Sequence, residues 1–233
     1  MIINQKIKTI FSSKILLTIF LIVSGCAQIQ QSVDIRKYSA EIEKDPASFA
    51  AYYNRGMVFL SANEFDAAID DFTIAIELKP DFAAPYFSRG SAYFVQRELS
   101  NAFADLNYYV QLNPADPQGN YNRGLIYSIW EEYDKAAYDF EKYVSQMPND
   151  VDGHYNLAIA YTELGKLDNA LDQINIAIEL NPKDAPVIFY RGYIYSLLGE
   201  NEKAIADLTL AKRIGLPGSM EVNANKMLNE LQH

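Results

Sequence analysis

Tyr53-Asn54-Arg55-Gly56 returns as Phe87-Ser88-Arg89-Gly90, Tyr121-Asn122-Arg123-Gly124, Tyr155-Asn156-Leu157-Ala158 and Phe189-Tyr190-Arg191-Gly192, each copy 34 residues after the last. A fixed period of this length marks an array in which each unit buries its apolar face against its neighbours. With Phe49 as position 1, the units run 49–82, 83–116, 117–150, 151–184 and 185–218. Position 8 is Gly56, Gly90, Gly124, Ala158 and Gly192, and position 20 is Ala68, Ala102, Ala136, Ala170 and Ala204. Large residues alternate with these small ones: Phe59, Tyr93, Tyr127, Tyr161 and Tyr195 at position 11, and Phe72, Leu106, Phe140, Ile174 and Leu208 at position 24. Small residues let two helices approach closely, and large ones fill the space beside the contact. Position 32 is Pro80, Pro114, Pro148 and Pro182, then Leu216 with Pro217 one place late. A proline there ends the second helix of each unit, because it cannot donate to the helical ladder.

These positions resemble the tetratricopeptide repeat, two antiparallel helices per unit. The resemblance covers 170 of 233 residues and implies an all-α, right-handed α-solenoid of five helix pairs. Residues 32–48, with Ile35, Tyr38 and Ile42 at helical spacing, are expected to form an N-terminal capping helix. Residues 219–233, with Val222, Met227, Leu228 and Leu231, are expected to cap the other end, where a terminal repeat must present a polar face to water.

Position 7 is Arg55, Arg89, Arg123 and Arg191, and position 23 is Asp71, Asp105, Asp139 and Asp207. Repeat four lacks both, with Leu157 and Gln173. The coincidence of the two exceptions predicts an ion pair between the helices of repeats one, two, three and five, structural in role. Position 27 is small in Ala75, Ala177 and Ala211 but carries Tyr109 and Tyr143 in repeats two and three. Those rings need extra room, so either a pocket opens beside them or the packing adjusts locally.

In tetratricopeptide repeats the first helix of each pair lines a groove through positions 2, 5, 6, 9, 12 and 13. The resemblance therefore places a partner-binding surface at Tyr53, Asn54, Met57, Phe87, Ser88, Tyr121, Asn122, Leu125, Tyr155, Asn156, Ile159 and Phe189. Aromatic rings supply contact area at little entropic cost, and asparagine both donates to and accepts from a peptide backbone. The competing readings are that these positions serve packing, or that the convex face binds. Repeats that clamp a C-terminal carboxylate use Lys, Asn and Arg in the groove. Here Tyr53, Met57, Gln118 and Asn122 stand at the matching sites, so a neutral or basic partner segment is favoured. Trp130, closing a first helix, reads as an interface anchor or as simple packing.

The segment 1–25 has the layout of an export signal. Lys6, Lys8 and Lys14 precede the apolar run Ile15–Val23, which is far shorter than the roughly 20 residues needed to span a bilayer. Val23-Ser24-Gly25-Cys26 resembles a bacterial lipobox, which implies cleavage after Gly25 and lipidation of Cys26, the only cysteine. Acyl chains bury about 0.8 kcal/mol per CH₂, so several chains anchor firmly where one does not. Ala27, in place of the aspartate associated with inner-membrane retention, favours the outer membrane, facing the periplasm. The alternative is a plain cleaved signal with an incidental cysteine. Residues 26–31 are read as the lipidated cysteine and a short tether.

Composition narrows the function. The formal charge is -10, and beyond the three signal lysines 17 basic residues face 30 acidic ones, a net of -13. A chain this acidic repels phosphate backbones, which argues against nucleic acid. No internal disulfide is possible with one cysteine. His154 and His233 are the only histidines, no His/Cys cluster suggests a metal site, and no glycine-rich phosphate loop appears. No cofactor and no catalysis are expected. The expected function is a membrane-anchored adaptor of the bacterial envelope that binds a protein or peptide partner. The alternative is a pilotin-like assembly factor for a pilus or secretion channel.

Overall fold

A computed structural model describes residues 30–232, so the signal segment and Cys26 lie outside the described residues. Twelve α-helices and no strand are present among the described residues. A first helix, α1, covers 30–44. The first helices of the five repeats are α2 (Phe49–Ser61), α4 (Ala83–Val95), α6 (Pro117–Ile129), α8 (Val151–Glu163) and α10 (Ala185–Leu197). Their partners are α3 (Phe65–Leu78), α5 (Leu99–Leu112), α7 (Tyr133–Gln146), α9 (Leu167–Leu180) and α11 (Asn201–Ile214), and α12 (Gly218–Leu231) follows. One correction falls on the expected tether. Residues 30 and 31 are already helical, and Gln30 Nε2 donates to Asp34 one turn on. The chain divides into two compact units, Met1–Asp105 and Leu106–His233.

The helix boundaries have local causes. Ser48, Asp116, Asp150 and Asp184 accept from the free backbone N–H groups of Ala51, Gln118, Gly153 and Val187, capping α2, α6, α8 and α10. Between the two helices of every repeat the chain enters the left-handed region at position 15: Asn63, Arg97, Glu131, Gly165 and Gly199, with φ between 60° and 74°. The following N–H then reaches back to the carbonyl of position 11, as in Glu98 to Tyr93 at 2.9 Å, closing a Schellman turn. Lys79, Met147 and Asn181 each precede a proline and are held out of the helical region, which stops α3, α7 and α9.

Helix contact within a pair follows the small-against-large pattern. Ala68, Ala102, Ala136, Ala170 and Ala204 are fully buried. A Cβ at Gly56 would lie 2.7 Å from the Phe72 ring, so only glycine fits there without displacement. The same logic accommodates the extra tyrosines, by a device ten residues downstream. A Cβ at Gly119 would stand 2.7 Å from Tyr109, and one at Gly153 the same distance from Tyr143. Where position 27 is alanine, position 3 of the next repeat is larger: Pro85 after Ala75, Val187 after Ala177. No pocket is needed, because a missing side chain on the next helix makes the room.

Each repeat-one, -two, -three and -five arginine meets its aspartate in a two-pronged bond. Nε and Nη2 of Arg123 donate to the two oxygens of Asp139 at 2.8 Å, and the Asp139 side chain is only 1% exposed. Arg55–Asp71, Arg89–Asp105 and Arg191–Asp207 repeat the geometry. The aspartate bonds hold all four guanidinium groups protonated, raising their pKa values further above the ordinary range. The third arm of each guanidinium reaches back 16 residues, from Arg55 to Ser39, Arg89 to Thr73, Arg123 to Asn107 and Arg191 to Asn175. The arginine therefore ties three helices, not two. In repeat four Leu157 is buried in the core instead, and Gln173 turns to His154. His154 Nε2 faces the Pro148 carbonyl at 3.0 Å and donates to it, while Nδ1 lies 2.8 Å from Gln173 Oε1.

In the second unit the core ends against α12, where Ile188, Phe189, Leu208 and Ala211 meet Ala224, Met220, Met227, Leu228 and Leu231. Val222 departs from the expected apolar face and is 67% exposed. Ala224, two residues on, takes the buried place.

Candidate functional site

The first unit engages its candidate side chains largely in packing. Tyr53 lies edge-on to Phe82, with ring centroids 5.2 Å apart, and tilts against Phe72 at 5.9 Å. Ser88 is buried and its hydroxyl donates to Met57 Sδ at 3.4 Å. Met57 itself is exposed, and Asn54 and Phe87 are half-buried. Buried and bonded to Met57, the Ser88 hydroxyl offers little to a ligand.

The second unit builds a continuous row from α6, α8 and α10. Tyr121 packs on Tyr143 at 4.7 Å and on Phe140 at 5.8 Å. Its hydroxyl accepts from Asn156 Nδ2 at 3.1 Å, and that same amide donates to the Asp152 carbonyl one turn back. Burial, with Asp152 and Asp150 nearby, pushes the Tyr121 phenol up to about 12. Tyr155 then meets Tyr190 edge-on at 5.5 Å, and Tyr190 tilts against Tyr193 at 5.6 Å. Burial also raises the Tyr155 and Tyr190 phenols. Asn122, Leu125 and Ile159 are half-buried along the same row. Phe189 is 8% exposed and belongs mainly to the core.

At the end of this row a cleft of about 330 Å³ opens between α10 and α12, with Phe189, Tyr190 and Tyr193 on one side and Met227, Lys226 and Glu230 on the other. Tyr193 is the lining residue that groove-position reasoning passed over. The signal was present, since position 9 is Met, Ser, Leu and Ile in the other repeats and becomes tyrosine only in repeat five. The contribution of α12 had no such signal, because nothing in the repeat register says which turn of a capping helix lies over which ring.

Positions 2, 5, 6, 9, 12 and 13 of the three repeats in this unit contain no lysine or arginine, and their only charges are Asp152 and Glu163. Among the described residues no group of three His, Cys, Asp or Glu side chains is placed to hold a metal ion, and no helix is long and apolar enough to cross a membrane. The row can supply rings, aliphatic contacts and amides to an extended chain.

The tetratricopeptide-repeat family model matches residues 49–82 and 151–184, and a second model of that repeat matches 175–206. No curated protein matches the chain. Among solved structures, the chain is similar to YrrB, described as a TPR protein with an unusual peptide-binding site. That match has a TM-score of 0.75 at 23% identity and covers 81% of this chain and 97% of that one. It is also similar to MamA from Desulfovibrio magneticus RS-1, at a TM-score of 0.68 and 17% identity over 71% of this chain and 94% of the other. A further MamA crystal structure matches at a TM-score of 0.60 and 27% identity, covering 65% of this chain and 89% of that one. Proteins built of such repeats bind protein or peptide partners and are typically not enzymes. Tetratricopeptide repeats are recognised at residues 49–82 and 151–206, within an all-α helical-repeat fold.

Proposed function

We propose that this protein is a lipid-anchored adaptor of the bacterial envelope, held at the outer membrane through Cys26 and binding a neutral or basic partner segment along the row on α6, α8 and α10. The observation that carries the anchor is positional. The only cysteine of 233 residues directly follows an apolar run and Val23-Ser24-Gly25, the place lipidation requires. For the binding face, support comes from a row of half-buried Asn122, Leu125, Tyr155 and Ile159 that lacks any basic side chain. YrrB, similar in fold, is described as having a peptide-binding site.

Two measurements test the two halves. Wild type should take up labelled fatty acid and sediment with membranes, and Cys26→Ala should do neither. A photo-crosslinking residue at position 122 should capture a partner in the living envelope, while probes at the exposed Glu179 and Thr209 of the second helices should not. Capture from the second helices alone refutes the binding face. Membrane sedimentation of Cys26→Ala, with no label on wild type, refutes the anchor.

A further inference from the structure

The cleft between α10 and α12 combines features that the rest of the row lacks. Its floor is aromatic: Phe189 at the base, with Tyr190 and Tyr193 tilted 57° to one another at 5.6 Å, two ring faces meeting at an angle. A carboxylate stands at its margin. Glu230 lines it directly. A ring face attracts a cation through its quadrupole, and a carboxylate at the rim supplies the counter-charge. One basic group is present, Lys226, whose Nζ is 3.9 Å from Glu230 Oε1. Its side chain is 75% exposed, so this i,i+4 contact is a loose surface pair that leaves Glu230 open to a better partner.

We infer that this cleft receives one arginine side chain of an extended basic segment, with the guanidinium lying against the Tyr190 and Tyr193 rings and Glu230 taking its charge. Two observations select this occupant over an aliphatic one. The adjoining positions on α6, α8 and α10 carry two carboxylates and no basic residue, and the chain beyond its signal is acidic by 13 charges. The cleft has ring faces set at an angle in place of an aliphatic lining, with Met227 its one flexible apolar wall. Arginine also suits the site better than lysine, because its planar, weakly hydrated guanidinium stacks on rings and presents a fork of N–H donors to a carboxylate. The inference rests on the proposed binding face and adds its chemical specificity.

The test uses the full chain in detergent and three fluorescently labelled peptides, acetyl-Ala-Leu-Xaa-Leu-Ala-amide, with arginine, norleucine or glutamate at the central position. Fluorescence anisotropy should show the arginine peptide binding at least about fivefold more tightly than the norleucine peptide, with the glutamate peptide weakest. Glu230→Gln should weaken the arginine peptide about threefold, and Lys226→Ala should strengthen it by a similar factor, since one removes an attractive charge and the other a competing one. Both residues are exposed on α12, so neither change threatens folding. Tyr193→Ala should abolish the preference for arginine over norleucine. Equal or tighter binding of the norleucine peptide overturns the inference, as does an arginine affinity indifferent to both Glu230→Gln and Lys226→Ala, or the absence of binding by any of the three peptides. Crosslinking from position 122 separates this from the wider reading. Partner capture there with a failed arginine preference leaves the binding face standing, and no capture removes the face itself.

Discussion

Replacing Gly153 with alanine probes the fit between consecutive repeats. The new Cβ would lie 2.7 Å from Tyr143 Cε1, 2.8 Å from Cδ1 and 3.1 Å from Val144 Cγ1. Comfortable carbon contacts are about 3.5–4.0 Å, so the ring would have to retreat by close to an ångström. It has little freedom to do so. Tyr143 is 3% exposed, its ring packs tilted at 4.7 Å against Tyr121, and its hydroxyl is held by Asp150 and Gln118. Overpacking of this kind costs about 1–3 kcal/mol. Alanine in place of glycine inside α8 stabilises the helix by about 1 kcal/mol. The single variant should therefore range from neutral to about 2 kcal/mol less stable.

That single value decides nothing, so the test is a double-mutant cycle. Tyr143→Ala removes the obstructing ring and leaves a cavity costing about 3–5 kcal/mol. In that background Gly153→Ala should be stabilising, by about 1 kcal/mol, because only the helix propensity remains. The sign of one substitution should invert with the identity of the residue facing it, a coupling of about 1–3 kcal/mol. Urea unfolding of the four proteins, followed by helical circular dichroism, measures this, with equal m-values as the check that each unfolds alike. If Gly153→Ala changes stability by the same increment in both backgrounds, within about 0.5 kcal/mol, the ring and the glycine are not coupled and the account of how Tyr143 is accommodated is wrong.

Two further predictions concern the buried polar groups. Arg123→Leu should cost about 3–5 kcal/mol in urea unfolding, because it strands the buried Asp139 carboxylate. Adding Asp139→Gln should recover most of that loss, since it recreates the Leu157 and Gln173 arrangement of repeat four and offers a donor to the unpaired, buried Asn120 Oδ1. The third prediction is alkaline. Burial raises the Tyr121 and Tyr161 phenols from 10.0 to about 12, Tyr161 also through its bond to Glu141. The folded chain thus holds these protons where the unfolded chain has released them. The contribution of these two groups to stability should be fully present below pH 10 and be lost as pH rises from about 10 to about 12, with tyrosinate absorbance appearing together with the loss of helix.

Much of this protein is determined by its sequence, because the repeat makes local signals redundant. The small, large and helix-ending positions of Gly56, Ala68, Phe72 and Pro80, recurring every 34 residues, establish which helices pair, which faces touch and where each helix stops. The coincident exceptions at Leu157 and Gln173 were enough to name the ion-paired helices, since a buried arginine without its aspartate would be costly. Even the accommodation of the tyrosines was written in the chain, as Tyr109 ten residues before Gly119 and Tyr143 ten before Gly153, though only the contact distances reveal what that spacing means. Tertiary structure alone decided what the row on the first helices can offer a partner. Tyr121, Asn156 and Ser88 occupy groove positions by register, yet the first two bond to each other and the third to Met57. Register states the direction in which a side chain leaves its helix; whether a neighbour from another helix already fills that direction depends on residues 30 or more positions away. The α10–α12 cleft belongs to the same class. It exists because a non-repeating helix lies over Phe189 while leaving Tyr190 and Tyr193 partly uncovered, an outcome of packing that no period in the sequence specifies.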